Sequence, residues 1–173
     1  MSVIPRTEVW LSGQLPGIIP PLQPVAHALL QVKEEVQRLM ADFPDTLLFK
    51  NLHGLASPAF HLQHMAGVLD RLFTYARAQQ LSPRQLEGLQ QEGKPAETTT
   101  AVLLNAFLRA VDTALDELGE MTAEQLYDQR EVGRSRLPST RFGLLVHSAE
   151  HTMRHLGQLL VTVRVLLAEA PQG

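Results

Sequence analysis

The residues best equipped for chemistry stand together late in the chain, in the run His147-Ser-Ala-Glu-His151-Thr-Met-Arg-His155. Residues four apart on an α-helix are offset by about 40° around the axis and roughly 6 Å along it. Imidazoles at that spacing form one stripe, and two neighbours in it can point at a single ion, which makes His-x-x-x-His a common metal clip. The stripe borders an apolar arc of Leu144, Leu159 and Leu166, so it should face a neighbouring helix rather than open water. One helix cannot complete a coordination sphere, and a further ligand must come from elsewhere. His61 and His64 are the candidates: His64 shares a helical face with Phe60, Val68 and Tyr75, and His61 with Val68 and Leu72. Three neutral imidazoles leave positions open on zinc, nickel or a similar divalent ion, the pattern of a catalytic rather than a structural site. His27 and His53 lack a spaced partner and read as ordinary polar residues. His147 is open between ligand, orienting neighbour and bystander.

Other chemistries are excluded or set aside. His147-x-x-Glu150-His151 matches the string of the inverted zinc proteases, whose glutamate is the base. Here Glu150 sits about 100° from His151 around the helix, and only a helix tail follows where such enzymes need a carboxylate ligand, so a peptidase is not expected. The chain has no cysteine, which removes disulfides, thiolate nucleophiles and cysteine-ligated metal centres. Its formal net charge is -3 and no Lys/Arg-rich face stands out, so nucleic acid is not an expected partner. The apolar stretch from Leu156 to Leu167 is broken by Gly157, Gln158 and Arg164 and is too short to span a bilayer. The opening Met1-Ser-Val-Ile-Pro-Arg6 has no basic segment followed by an apolar run. A cytoplasmic location is therefore expected, without membrane contact.

The elements that must position these histidines are legible from periodicity and punctuation. With 173 residues, 45% of them hydrophobic, the chain suits one domain over residues 1–173, with an irregular first segment, 1–20, marked by Pro16, Gly17 and Pro20. A first helix begins near Leu22, with Val25, Leu29, Val32, Val36, Leu39 and Met40 at helical spacing. Ser57-Pro58 caps a second, expected to run to about Gln80 and to bury Leu62, Met65, Leu69, Leu72 and Phe73. Ser82-Pro83 opens a short helical piece, which is a lid or a connector. A third helix runs from residues 98–100 to Gly119, with Val102, Leu103, Phe107, Val111, Leu115 and Leu118 inward. Residues 120–138 are a long connection, and Ser139 or Thr140 caps a fourth helix reaching about Ala168. No stretch alternates as a strand does. The fold class is all-α, a four-helix bundle.

On these residues the chain resembles the DinB/YfiT-like superfamily over nearly its whole length. The likeness rests on Pro24-Val-Ala-His-Ala-Leu-Leu-Gln31, on Phe60-His-Leu-Gln-His64-Met-Ala-Gly-Val-Leu-Asp70-Arg71, and most of all on His151-x-x-x-His155-x-Gly157-Gln158. The resemblance implies a four-helix bundle carrying a divalent metal on three histidines, one from the second helix and two from the fourth. Matched residue by residue, these are His64, His151 and His155, with His147 often present in relatives. The chain departs from the commonest pattern at Leu156, where many relatives carry arginine. That difference is expected to affect surface or partner contacts rather than ligation.

A few such relatives are thiol-dependent isomerases and S-transferases, so the resemblance implies a metal-dependent enzyme acting on a small-molecule substrate with a low-molecular-weight thiol. A thiol held as thiolate on the ion would suit a protein without cysteine. A hydrolase is the other use of an open site. Gln158, Tyr75, Arg71, Glu150 and His147 are the possible substrate or supporting contacts. The alternative is a non-catalytic metal- or ligand-binding bundle acting as a dimeric interaction protein, and a homodimer is expected in either case.

Overall fold

Residues 8–170 are described by the computed structural model, so the leading stretch Met1–Arg6 lies outside the described residues. Helix α1 (Gln23–Met40) turns Val25, Leu29, Val32, Val36 and Met40 inward, as their spacing requires. Two glutamines bind the preceding segment to it. Gln31 Oε1 accepts from the Val9 N–H at 2.8 Å, and buried Gln23 accepts from the Leu15 N–H while donating to the Leu15 and Ile18 carbonyls. His27 Nε2 donates to the Gly13 carbonyl at 2.9 Å, and His53 is exposed; neither stands in the histidine cluster.

Helix α2 (Pro58–Ala76) starts as its cap dictates, with Ser57 Oγ accepting from the Phe60 N–H. It ends at Ala76, short of the expected Gln80. Ala78 adopts a left-handed conformation (φ 59°), the Gln79 N–H returns to the Thr74 carbonyl, and the Ala78 N–H returns to that of Tyr75. This pattern closes a helix around a left-handed residue that is usually glycine, and an alanine there conceals the stop from a reader of sequence.

Helix α3 (Pro83–Gln91) is the short piece expected, held by a Ser82/Gln85 capping box and laid on α2. Helix α4 (Thr100–Gly119) buries Leu104, Phe107, Val111, Ala114 and Leu118. Val102, expected inward, is 56% exposed. Two residues before Leu104, it lies about 200° around the helix from the buried face.

The expectation of no strand is also corrected. Strands β1 (Gln129–Val132) and β2 (Leu137–Thr140) pair antiparallel, with Arg130 opposite Ser139 and Val132 opposite Leu137. Gly133 (φ 69°) and Arg136 (φ 50°) supply the turn. β1 does alternate in exposure, with Arg130 and Val132 turned inward and Val132 packed against the core. Its inward residues include an arginine, however, and the strand has only four residues, too few for a hydrophobic alternation to show in sequence. Arg130 fastens it to the end of α2 through the Ala76 carbonyl at 2.7 Å.

Helix α5 (Arg141–Glu169) is capped by Thr140, whose Oγ1 accepts from the Gly143 N–H. α4 and α5 each pack against both α1 and α2, giving a four-helix bundle with α3 as an addition on α2. Leu156 is 4% exposed and belongs to the core. The surface role expected for it is therefore wrong: three residues before Leu159 and four after Thr152, it falls on the buried stripe of α5. No helix among the described residues is long and apolar enough to cross a membrane.

Candidate metal centre

The packing of α2 on α5 carries His64 to the two later histidines of the stripe. His64, His151 and His155 each offer a ring nitrogen, and these atoms lie within 4.8 Å of one another. Ring centroids are 4.5 Å apart for His64 and His155, 4.7 Å for His151 and His155, and 5.2 Å for His64 and His151. His64 Nε2 faces His151 Nε2 at 2.9 Å. His147 stands one turn outside, 54% exposed, with Nδ1 3.3 Å from Glu150 Oε2. It belongs to the rim of the site and not to the cluster.

His61, the other candidate on α2, supports the cluster from behind. It is buried, and its Nδ1 meets His155 Nδ1 at 3.0 Å, leaving Nε2 as the nitrogen His155 can offer an ion. Burial pushes His61 down to about 4, with the charge of His64 adding to the effect. His155 is also pushed down to about 4, by burial first and then by the charges of His64, His151, His61 and Arg154. His151 is lowered by burial and by His64, His147 and Arg154, against an opposing pull from Glu150. These rings therefore stay neutral near pH 7, the form in which imidazole ligates a metal.

One partner has no counterpart in the sequence reading. Glu92, just after α3, brings Oε2 to 2.6 Å from His64 Nδ1 and accepts from Arg71 Nη1 at 2.7 Å through Oε1. With Nδ1 engaged, His64 has Nε2 to offer. Glu92 lies 28 residues from His64 in a polar connector, and no spacing rule joins them.

The donor set fits a divalent ion. Neutral imidazoles turning lone pairs toward one point repel unless a proton or cation lies between them. His151 Nδ1 is buried without a hydrogen-bond partner, so His151 is committed to nothing else in the core. Beside the cluster runs a slot of about 280 Å³ lined by His64, His151, His147, Arg71, Tyr75, Val68, Leu72, Leu81 and Leu89. Of the supporting contacts expected from sequence, Tyr75, Arg71 and His147 line this slot. Gln158 is exposed and does not, and Glu150 is exposed and bonded to Arg154. The segment covering the site is α3 with its flanks; none of residues 120–138 lines the slot. A larger polar cleft of about 910 Å³ shares Arg71 with it but contains no histidine.

The family model of the DinB superfamily matches residues 28–159. No curated protein matches the chain. Among solved structures, a conserved protein from Enterococcus faecalis superposes with a TM-score of 0.67 at 18% identity, covering 86% of this chain and 98% of that one. A DinB-like protein from Bacillus cereus gives 0.60 at 18% identity, over 84% and 95% of the two chains. A protein from Streptococcus pneumoniae gives 0.62 at 13% identity, over 87% and 92%. At these identities the structural likeness speaks for the fold.

Proposed function

The chain belongs to the DinB superfamily, and from that premise we propose that it is a divalent-metal-dependent enzyme, with His64, His151 and His155 as ligands and zinc or nickel as the ion. The reaction class it supports best is transfer involving a low-molecular-weight thiol. The observation that carries the metal reading is the convergence of three imidazoles in a cluster that contains no fourth protein donor among the described residues. Three ligands with an open position are the arrangement of a catalytic centre. Glu92 and His61 do not close the sphere, because each is occupied with the far nitrogen of a ligand.

A bound ion of this kind lowers the pKa of a thiol or water placed on it. The chain's own residues do the rest. Glu92 holds His64 in one orientation, and His61 does the same for His155. Val68, Leu72, Leu81 and Leu89 give the slot an apolar lining that suits an apolar portion of substrate, while Tyr75 and Arg71 can hold a polar one. No carboxylate lines the slot. A thiolate already formed needs no general base, whereas attack by water is usually assisted by one, and His147 at the rim is the one lining residue suited to that role. Transfer, which does not depend on it, is the first reading.

The test is a panel of bacterial thiols with a generic electrophile, run on metal-free and on zinc- or nickel-loaded protein. Metal-dependent conjugation with at least one thiol is expected, and no metal-dependent turnover with any of them overturns the transferase reading. Hydrolysis is the second reading, and His147 is the observation behind it. Its pairing with Glu150 at the rim is a base-like arrangement. A metal-dependent hydrolysis abolished by His147→Ala would favour it.

A further inference from the structure

We infer that Glu92 is the positioning residue of this centre and latches the α3 cover to the ligand His64, so that metal binding and closure of α3 are one coupled event; this rests on the metal reading above. Glu92 has a side chain 6% exposed, and a carboxylate so far out of water requires partners on both oxygens. It has them in His64 Nδ1 and Arg71 Nη1, two turns apart on α2. The next residue is clamped as well: the Gly93 N–H donates to Gln63 Oε1 at 2.7 Å. Gly93 has φ 77°, and a Cβ there would stand 3.1 Å from Phe60, whose ring stacks on His64 at 5.0 Å.

The space for the pair is made by Gly67. A Cβ at that position would lie 2.4 Å from Arg71 Nη1 and 2.7 Å from Glu92 Oε1, so a side chain there displaces the ion pair. A carboxylate accepting from Nδ1 fixes the tautomer with its lone pair on Nε2 and makes the ring a stronger ligand. The same carboxylate ends the segment that carries Leu81 and Leu89 over the slot. α3 cannot lift without releasing His64, and an ion that prefers His64 held must, reciprocally, favour α3 closed.

The experiment measures zinc affinity by competition with a chromophoric chelator, and amide hydrogen exchange over residues 81–95 with and without zinc. Wild type, Glu92→Gln, Glu92→Ala and Gly67→Ala are compared, with Asp116→Asn, exposed on α4, as a control outside the latch. Removing such an outer partner weakens metal binding by roughly 10–100-fold. Glu92→Gln, which keeps an acceptor for Nδ1, belongs at the low end and Glu92→Ala at the high end. Zinc should slow exchange over 81–95 in wild type and in Asp116→Asn, and do so far less in Glu92→Ala. If Gly67→Ala does not fold, the Glu92 pair decides alone. Wild-type zinc affinity and unchanged protection in both Glu92 variants overturn the inference while leaving the metal reading intact. Wild type that binds neither zinc nor nickel overturns the metal reading itself.

Discussion

Replacing His151 by alanine separates the metal centre from the bundle that holds it. His151 is only partly buried, its Nδ1 bonds to nothing, and its Nε2 meets only that of His64. Truncating it strands no core hydrogen bond, unlike truncating buried His155, which would orphan His61. A change of this kind costs within about 0.5 kcal/mol, and a domain of this size shifts its Tm by about 2–4 °C per kcal/mol. Metal-free His151→Ala should therefore melt within about 2 °C of wild type. An ion free at a hundred times its Kd adds about 2.7 kcal/mol, a rise of roughly 5–11 °C for wild type. Losing one of three ligands weakens binding at least as much as losing an outer partner, so about a hundredfold is a fair lower bound. At the same free ion the variant gains only about 0.4 kcal/mol, or roughly 1–2 °C. Thermal melts in metal-buffered solution read both numbers directly. An undiminished rise in His151→Ala would remove it from the ligand set, and no rise in wild type with zinc or nickel would refute the three-histidine centre.

The metal-free protein should weaken in mild acid. His61 and His155 fall from 6.5 to about 4 on folding, so the unfolded chain takes up protons that the native state refuses. Stability is then full above about pH 6.5 and is lost as pH falls toward 4, and a urea midpoint no lower at pH 5 than at pH 7.5 would contradict this. Ala78→Gly relieves a left-handed alanine and should stabilise by about 0.5–1 kcal/mol, seen as a higher urea midpoint; a lower one would mean that the methyl group packs usefully. Leu156→Arg puts a charge where a core leucine sits and should cost at least about 2 kcal/mol by the same measurement. A neutral outcome would show that the arginine reaches solvent.

Much of this molecule was legible because it repeats. Val25, Leu29, Val32 and Val36, or Phe107, Val111 and Leu118, announce their helices by being buried on one side, and burial imposes a period. The stops were readable where the residue type is forced, as at Ser57-Pro58, and unreadable where an alanine took the left-handed conformation. The hairpin stayed hidden because its strands are four residues long and the inward side of β1 carries Arg130 beside Val132, so the alternation in burial is not one in hydrophobicity. His151 and His155 declared themselves by spacing within one helix, while the choice of His64 over His61 came from resemblance. The structure gives that choice its physical content, since both rings reach α5 but only His64 joins the cluster, and His61 backs His155. Glu92 could not have been found by spacing, because its position depends on how α3 folds back over α2. A connector that folds back in this way is freer to vary than a core helix. Three histidines on two packed helices can hold an ion in any bundle of this shape. On the coupling proposed above, what such an ion could accept, and when, would depend on the connector carrying Leu81, Leu89 and Glu92, and differences in chemistry between bundles with the same ligands should be sought there first.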